Sequence, residues 1–408
     1  MSDRITRRCF LQTSAGAAAF AASSNGFAKV PQSISPSYDL VARVDRARIL
    51  SAAHKALAEA PITVTAAHSK RSTGGPHDYF SEGDYWWPDP SHPNGPYIRR
   101  DGFSNPANFD DHRAALIRFG LLAPALASAW CLTADPRFLT HFLRHVNAWF
   151  VDPSTRMNPT LQYAQAISGV STGRGTGIID TLQLIDVARA LRVLQARNAI
   201  PSAQLEPILQ WFAAYVNWMA TSANGIDEEK AKNNHGACWV LQAAEFAQFA
   251  HRSDLVALCL DRFKNHIVPD QIAPNGSLPL ELARSKPYSY SLFDTDVLAG
   301  ICQSLSTPAE NLWLFKAPNG ADVAASIAFM FPFIADKSKW PYPKDVEFFD
   351  AMPSRRPSIL FAGAALHKPH YLELWQQQDA NPTVPELIRN LPIRQPLLWL
   401  DPALHPLT

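Results

Sequence analysis

"HRAALIRFGLLAPALASAWCLTADPRFLTHFLRHVNAWF", His112 to Phe150, is the stretch that decides the fold class. Leu116, Phe119, Leu122, Leu126, Ala129 and Trp130 recur at the three- and four-residue spacing that places side chains on one helix face. "TADPRF" then ends one helix and starts another. Asp135 offers a side-chain oxygen to unpaired backbone N–H groups, and Pro136 fits the first turn, where its missing N–H has no partner to lose. Leu139, Phe142, Leu143, Val146, Trp149 and Phe150 carry the second stripe, so the segment reads as an αα-hairpin.

Similar stripes lie at about 180–197, 204–222, 234–250, 253–268, 294–306, 322–335 and 357–366, with no alternating strand pattern between them. That order predicts an all-α chain of helical hairpins. No repeat appears at the periods of about 34 to 40 residues that mark common solenoids. Successive hairpins can close into an (α/α) toroid or remain an open superhelix, and periodicity allows both.

The first 28 residues read differently. "TRRCFLQ", Thr6 to Gln12, is a twin-arginine pattern followed by a run of small apolar residues and a cleavage site after Ala28. The expectation is a signal peptide over 1–28, a single domain over 29–408, and a periplasmic or secreted protein. Removal takes Arg4, Arg7, Arg8 and Asp3 from 37 basic and 36 acidic residues, so the mature chain stays close to neutral. No basic tract stands out, which argues against a nucleic-acid partner. No later apolar run of about 18 residues is expected to cross a membrane. Cys131, Cys238, Cys259 and Cys302 stand apart in apolar helical surroundings and read as core residues.

Three polar clusters interrupt the apolar pattern. "GGPHDYFSEGDYWWPDPSHPNGPYIRRDGFSNP", Gly74 to Pro106, is too rich in Pro and Gly for a helix or central strand, and a loop that long usually serves function. With the flanking Arg71, it brings Tyr85, Trp86, Trp87, Arg99, Arg100 and Asp101. The second cluster, Met157 to Asp180, carries Gln162, Tyr163, Gln165 and Arg174. Its "GRGTG" lacks the preceding strand and the lysine of a phosphate-binding loop. The third joins Asn233, Asn234 and His235 to Glu281, Arg284, Tyr288 and Tyr290, about fifty residues on. Read alone, an asparagine at a helix start is a capping residue, and Asn233 is the expected cap. His141 and His145 have metal-ligand spacing, but they lack the Glu of H-E-x-x-H and sit on a core stripe. No metal and no cofactor is expected.

"EGDYWWPDP", "PYIRRDG", "MNPTLQYAQAI", "GRGTGIID", "KNNHGACW" and "LELARSKPYSYSLF" together resemble the alginate lyase superfamily, meaning polysaccharide lyase family five and relatives such as family thirty-eight. The tail "RRPSILFAGAAL", "YLELW" and "IRQPLLWL" is similar to the same group. The resemblance implies an incomplete (α/α) toroid that cleaves an acidic polysaccharide by β-elimination. By motif it implies Asn234, His235, Arg284 and Tyr290 as the catalytic set. In family members the tyrosine follows the arginine by seven residues; Tyr290 follows Arg284 by six, so Tyr288 is the second candidate. The stretch "HSKRSTGGPHDYFSEGDYWWP" is more similar to the relatives than to family five proper, so the expected polymers include mannuronate, guluronate and glucuronate.

The implied chemistry suits these side chains. Elimination removes the C5 proton, alpha to the C6 carboxylate, and expels the O4 oxygen. The ionised carboxylate opposes this until amide, imidazole and guanidinium donors neutralise it. The arginine beside Tyr290 is expected to favour its phenolate, so the tyrosine can take the C5 proton as well as give one to O4 in its protonated form, with His235 as the alternative base at C5. Tyr85, Trp86 and Trp87 would stack on sugar rings, and Arg71, Arg99 or Arg100 would meet further carboxylates. Competing expectations are a glycoside hydrolase using Asp101 and Glu281 as its carboxylate pair, and a non-catalytic uronan-binding protein.

Overall fold

The computed structural model describes residues 35–404, and the expected signal segment lies outside them. Helices dominate. The hairpin that set the fold class is present as Asp111–Thr133 packed on Pro136–Phe150, and Asp135 accepts the Arg137 N–H at 2.9 Å as the helix cap. Helices follow at Ile185–Ala196, Ser202–Thr221, Ala223–Glu229, Asn234–Phe249, Ser253–Arg262, Pro287–Leu305, Val323–Ala335 and Pro357–Ala365. This is an all-α toroid, with two short additions that the stripes did not predict. Phe80–Glu82 pairs in parallel with Tyr163–Ala166, and Trp86–Trp87 pairs antiparallel with Ile98–Arg99. Both pairs fold the long aromatic loop into order.

Asn234–Phe249 is the axial element. It packs against Pro287–Leu305, Ile185–Ala196, Ser202–Thr221 and Ser253–Arg262, and from Gly236 to Ala247 every residue is buried. A helix that is apolar all round must be enclosed by other helices, which is the condition a toroid meets. Asp111–Thr133 corrects one expectation: it is long and apolar enough, by composition, to cross a membrane. Leu116, Phe119, Ala123 and Leu126 are nevertheless buried against neighbouring helices, with Phe119 stacked on Trp149 at 5.1 Å, so the apolarity belongs to the core. Cys238, Cys259 and Cys302 are buried and unpaired, and Cys131 is half-buried. His141 and His145 lie ring against ring at 5.2 Å; burial pushes His145 down to about 4, and His141 Nε2 pairs with the Glu59 carbonyl.

Charged groups inside this core are paired. Glu245, fully buried, accepts from Arg189 at 2.6 Å and Arg192 at 2.9 Å, and Ser304 Oγ donates at 2.5 Å. Arg189 stacks over Trp399 at 4.3 Å, which ties the tail to the axial helix. Burial alone would raise the Glu245 carboxyl, but the two guanidiniums outweigh it and hold it below its ordinary 4.5. Its stabilising contribution is therefore present above 4.5 and lost as pH falls through the depressed folded value. Glu245→Gln leaves Arg189 buried without a counter-charge. The expected loss is about 3 to 5 kcal/mol at neutral pH, measured by urea unfolding, with the difference from wild type shrinking in acid.

Candidate active site

Asn234, His235, Arg284 and Tyr290 all line one cavity of about 500 Å³ at the start of the axial helix. The helix start explains how two of them are held. Asn233 occupies the cap position, but its side chain makes no capping bond, which corrects the expectation. Glu281 takes the role from across the chain: its buried carboxylate accepts the Asn234 backbone N–H at 2.9 Å and the Asn234 side-chain Nδ2 at 2.7 Å. An acceptor-only partner fixes which way the amide points, and the second Nδ2 hydrogen stays free. Gly236 is required next, because a Cβ there would sit 2.1 Å from the Ala231 carbonyl oxygen.

His235 Nδ1 lies 2.6 Å from Glu228 Oε1, and Glu228 is itself buried. That contact assigns the Nδ1 proton to the carboxylate side and leaves Nε2 as the ring atom without a protein partner among the described residues. Sequence reasoning missed Glu228, which lies seven residues before His235 on the separate short helix Ala223–Glu229.

Tyr290 and Arg284 form a second unit. Arg284 Nη2 donates to the Tyr290 hydroxyl at 3.0 Å, and its guanidinium carbon stands 4.1 Å from the tyrosine ring centroid. Asp101 orients the same guanidinium, at 3.0 Å from Nη2 and 3.3 Å from Nε. Tyr85 Oη is 2.7 Å from Tyr290 Oη. Burial pushes the Tyr290 phenol well above its ordinary 10; Tyr85 raises it further, and Arg284 only partly opposes them. The free protein therefore carries a neutral phenol. The expectation that Arg284 would favour phenolate is reversed because desolvation outweighs one cation that already has an Asp101 counter-charge.

Tyr288 is a correction. Two residues from Tyr290, it turns to the opposite side of the helix Pro287–Leu305 and is buried. Its hydroxyl donates to the Phe333 carbonyl, and its ring packs edge-on against Trp340 and Phe349.

Of the other expected substrate-binding residues, Tyr85, Trp86, Arg99, Gln165 and Arg174 line the cavity. Arg174 donates to the Gln165 carbonyl at 3.1 Å and to Gln165 Oε1 at 2.9 Å, and it stands 5.9 Å from the Trp86 ring. It has no carboxylate partner among the described residues. Gln165 holds this grip from a left-handed backbone, φ 47°, a strained conformation of the kind that clusters at functional sites. The glycines of "GRGTG" have a packing reason: a Cβ on Gly173 would meet the Gln162 carbonyl oxygen at 2.0 Å.

The remaining expectations are not met at this cavity. Arg71 pairs with Glu82 beside a separate groove. Trp87 donates its indole N–H to the Phe103 carbonyl at 2.9 Å and carries Arg100 over its ring at 5.2 Å, so both brace the loop. Gln162 is exposed, and Tyr163 lies over Gly74, away from the cavity lining. Arg113 and Arg389, which sequence reasoning passed over, converge on Asp84 in the cavity wall. Burial would raise Asp84, but these two guanidiniums bring it to about 2. Around the whole cavity, cationic side chains outnumber carboxylates. Among the described residues no cluster of His, Cys, Asp and Glu is arranged to hold a metal.

The carboxylate pair of the hydrolase reading fails on geometry. Both oxygens of Glu281 are committed to Asn234, and both oxygens of Asp101 to Arg284 and Ser285.

Among known families, the sequence profile described as alginate lyase matches residues 63–340, more than half of the chain. The chain belongs to the alginate lyase family. It is a polysaccharide lyase on an all-α toroid. Among solved structures it is similar to an alginate lyase from Bacteroides ovatus, at 28% identity and a TM-score of 0.76, covering 89% of this chain and 97% of that one. Alginate lyase A1-III from a Sphingomonas species shares the fold at 15% identity, TM-score 0.52, over 86% of this chain and 93% of that one. A histidine-to-alanine variant of A1-III in complex with a tetrasaccharide matches at 16% identity, TM-score 0.54, with the same coverage. A comparison with curated proteins finds no match.

In this alginate lyase family member, Glu228 lines the same cavity and orients His235. Glu228→Gln keeps the shape but removes the charge that holds the Nδ1 proton. Turnover is expected to fall about 10- to 100-fold with KM little changed, while the urea midpoint stays within reach of wild type.

Proposed function

We propose that the chain cleaves 1,4-linked uronic-acid polymers by β-elimination, leaving a 4,5-unsaturated uronide end. The observation that carries this reading is the Tyr290 hydroxyl, held between Arg284 at 3.0 Å and Tyr85 at 2.7 Å in the cavity that also receives Asn234 and His235. One wall thus offers amide and imidazole groups for the C6 carboxylate, and another offers a phenol for O4.

The steps balance without a nucleophile. The free Asn234 N–H donates to the substrate carboxylate, joined where Tyr290 is the base by a His235 ring that carries a proton on Nε2 as well, and this lowers the cost of the enolate that forms when the C5 proton leaves. Arg284 is largely occupied by Asp101, so its part is to hold Tyr290 and to oppose charge on the phenol oxygen. Arg174, the guanidinium without a carboxylate partner among the described residues, takes a carboxylate of the bound polymer. The C4–O4 bond breaks, C4=C5 forms, and Tyr290 supplies the proton to O4.

Where the C5 hydrogen and O4 share a ring face, as in mannuronate and glucuronate, Tyr290 first gives its proton to solvent hydroxide, then takes the C5 proton and passes it to O4. In guluronate the two lie on opposite faces. There His235 Nε2 takes the C5 proton and neutral Tyr290 gives its own. The twin-arginine pattern at the N-terminus supports a periplasmic or secreted setting for this activity.

Tyr290→Phe is expected to lower kcat by about a thousandfold or more, read as loss of ultraviolet absorbance from new unsaturated ends across a panel of uronans. Unchanged turnover in that variant overturns the assignment. Arg174→Ala is expected to raise KM by about tenfold with a smaller change in kcat. Because Tyr290 sits above its ordinary 10, kcat/KM on mannuronate or glucuronate polymers should climb with pH up to that value. The guluronate rate, which uses the neutral phenol, should not climb over the same range.

A further inference from the structure

A second groove of about 180 Å³ adjoins the first, and the two share Lys230 and Ala231. Three cations line it, Lys230, Lys232 and Arg262, with His266 beside them and Asp270 as the one carboxylate in its wall. Arg262 is already engaged, donating to the Glu229 carbonyl at 2.6 Å. Lys230 and Lys232 are exposed, and their ammonium groups make no hydrogen bond or ion pair within the described residues. His266 is presented from a π-helical turn, Phe263–Ile267, a local unwinding that recurs at functional sites.

Beneath these charges lies Gln271, 3% exposed. Its Nε2 donates to the Asn233 carbonyl at 2.7 Å, and its Oε1 has no partner. A buried acceptor without a donor loses free energy unless a ligand or water supplies one. Hydroxyl donors and carboxylates occur together on every unit of a polyuronate, and the groove's volume is on the scale of one sugar ring.

We infer that this groove is a distal subsite that holds one further uronate unit of the polymer, its carboxylate between Lys230 and Lys232 and a hydroxyl donating to Gln271 Oε1. The inference rests on the reading of the substrate as a uronan. It adds a prediction about length: oligomers that reach the groove bind more tightly than those that fill only the catalytic cavity. Because Gln271 also holds the Asn233 carbonyl, occupancy bears directly on the backbone that presents Asn234 and His235.

Binding is measured by titration calorimetry in a Tyr290→Phe background, so that no oligomer is consumed, with uronate oligomers of increasing length. Wild-type groove residues should give a step gain in affinity at one length. Lys232→Glu combined with His266→Glu, both exposed positions, should remove about tenfold of that gain and leave the shorter oligomers' affinity in place. Equal loss at every length, or no loss, overturns the subsite. A groove-dependent gain together with no unsaturated product from the wild-type chain on any uronan would sink the lyase chemistry and leave the subsite standing. Failure of every uronate oligomer to bind overturns both.

Discussion

The Glu281 carboxylate under the first turn of Asn234–Phe249 is the contact on which the site is built. Helix starts leave backbone N–H groups without intrahelical partners, and here a buried acidic side chain from a distant segment takes one of them together with the Asn234 amide. Burial raises the Glu281 carboxyl, while the Asn234 bonds, Arg284 and His235 pull it back. Its neighbour Asp294 is buried with both oxygens unpaired, and desolvation, reinforced by the Glu281 charge, pushes it far above the carboxylate range. Two buried acids side by side cannot both ionise cheaply. The one with hydrogen-bond donors keeps the charge, and Asp294 stays protonated.

The same segment carries Arg284 three residues after Glu281 and Tyr290 six residues further. One short stretch therefore both anchors the axial helix and presents the proposed acid. Asp101 reaches in from the aromatic loop to orient Arg284, and Tyr85 from that loop meets Tyr290. The loop is held by Arg113 and Arg389 on Asp84, by Trp87 on Phe103 and by two short strand pairs. Most cations near the cavity are consumed in this bracing. Arg174 is the exception among the lining guanidiniums with a described partner set, because it is fastened by a neutral glutamine and keeps its charge uncompensated for a polyanion.

Much of this was legible in the chain. Helical stripes and the Asp135-Pro136 start predicted the hairpins, since burying an apolar face requires a matching period. The motifs around Asn234 and Arg284 brought together four residues that do share one cavity. The aromatic loop was harder to read. Tyr85, Trp86 and Trp87 are consecutive, yet the first two face the cavity and the third braces the loop: the strand Trp86–Trp87 sends its two indoles to opposite faces, and Tyr85 lies in the turn before it. Arg71 and Arg100 look like carboxylate binders by type, but Arg71 is paired with Glu82 and Arg100 lies over the Trp87 ring, and such local contacts leave no mark in composition.

By itself the sequence determined the helical class, the family and a set of four residues, Asn234, His235, Arg284 and Tyr290, that share one cavity, because periodicity and short motifs are local and survive in one dimension. Tertiary structure put Tyr290 in the cavity and Tyr288 in the core, committed both Glu281 oxygens to the start of the axial helix, and supplied Glu228 as the partner of His235. It also reversed the expected ionisation of Tyr290. Those outcomes depend on which groups lose water and which charges come within a few ångströms across long stretches of chain, and only the folded toroid sets both.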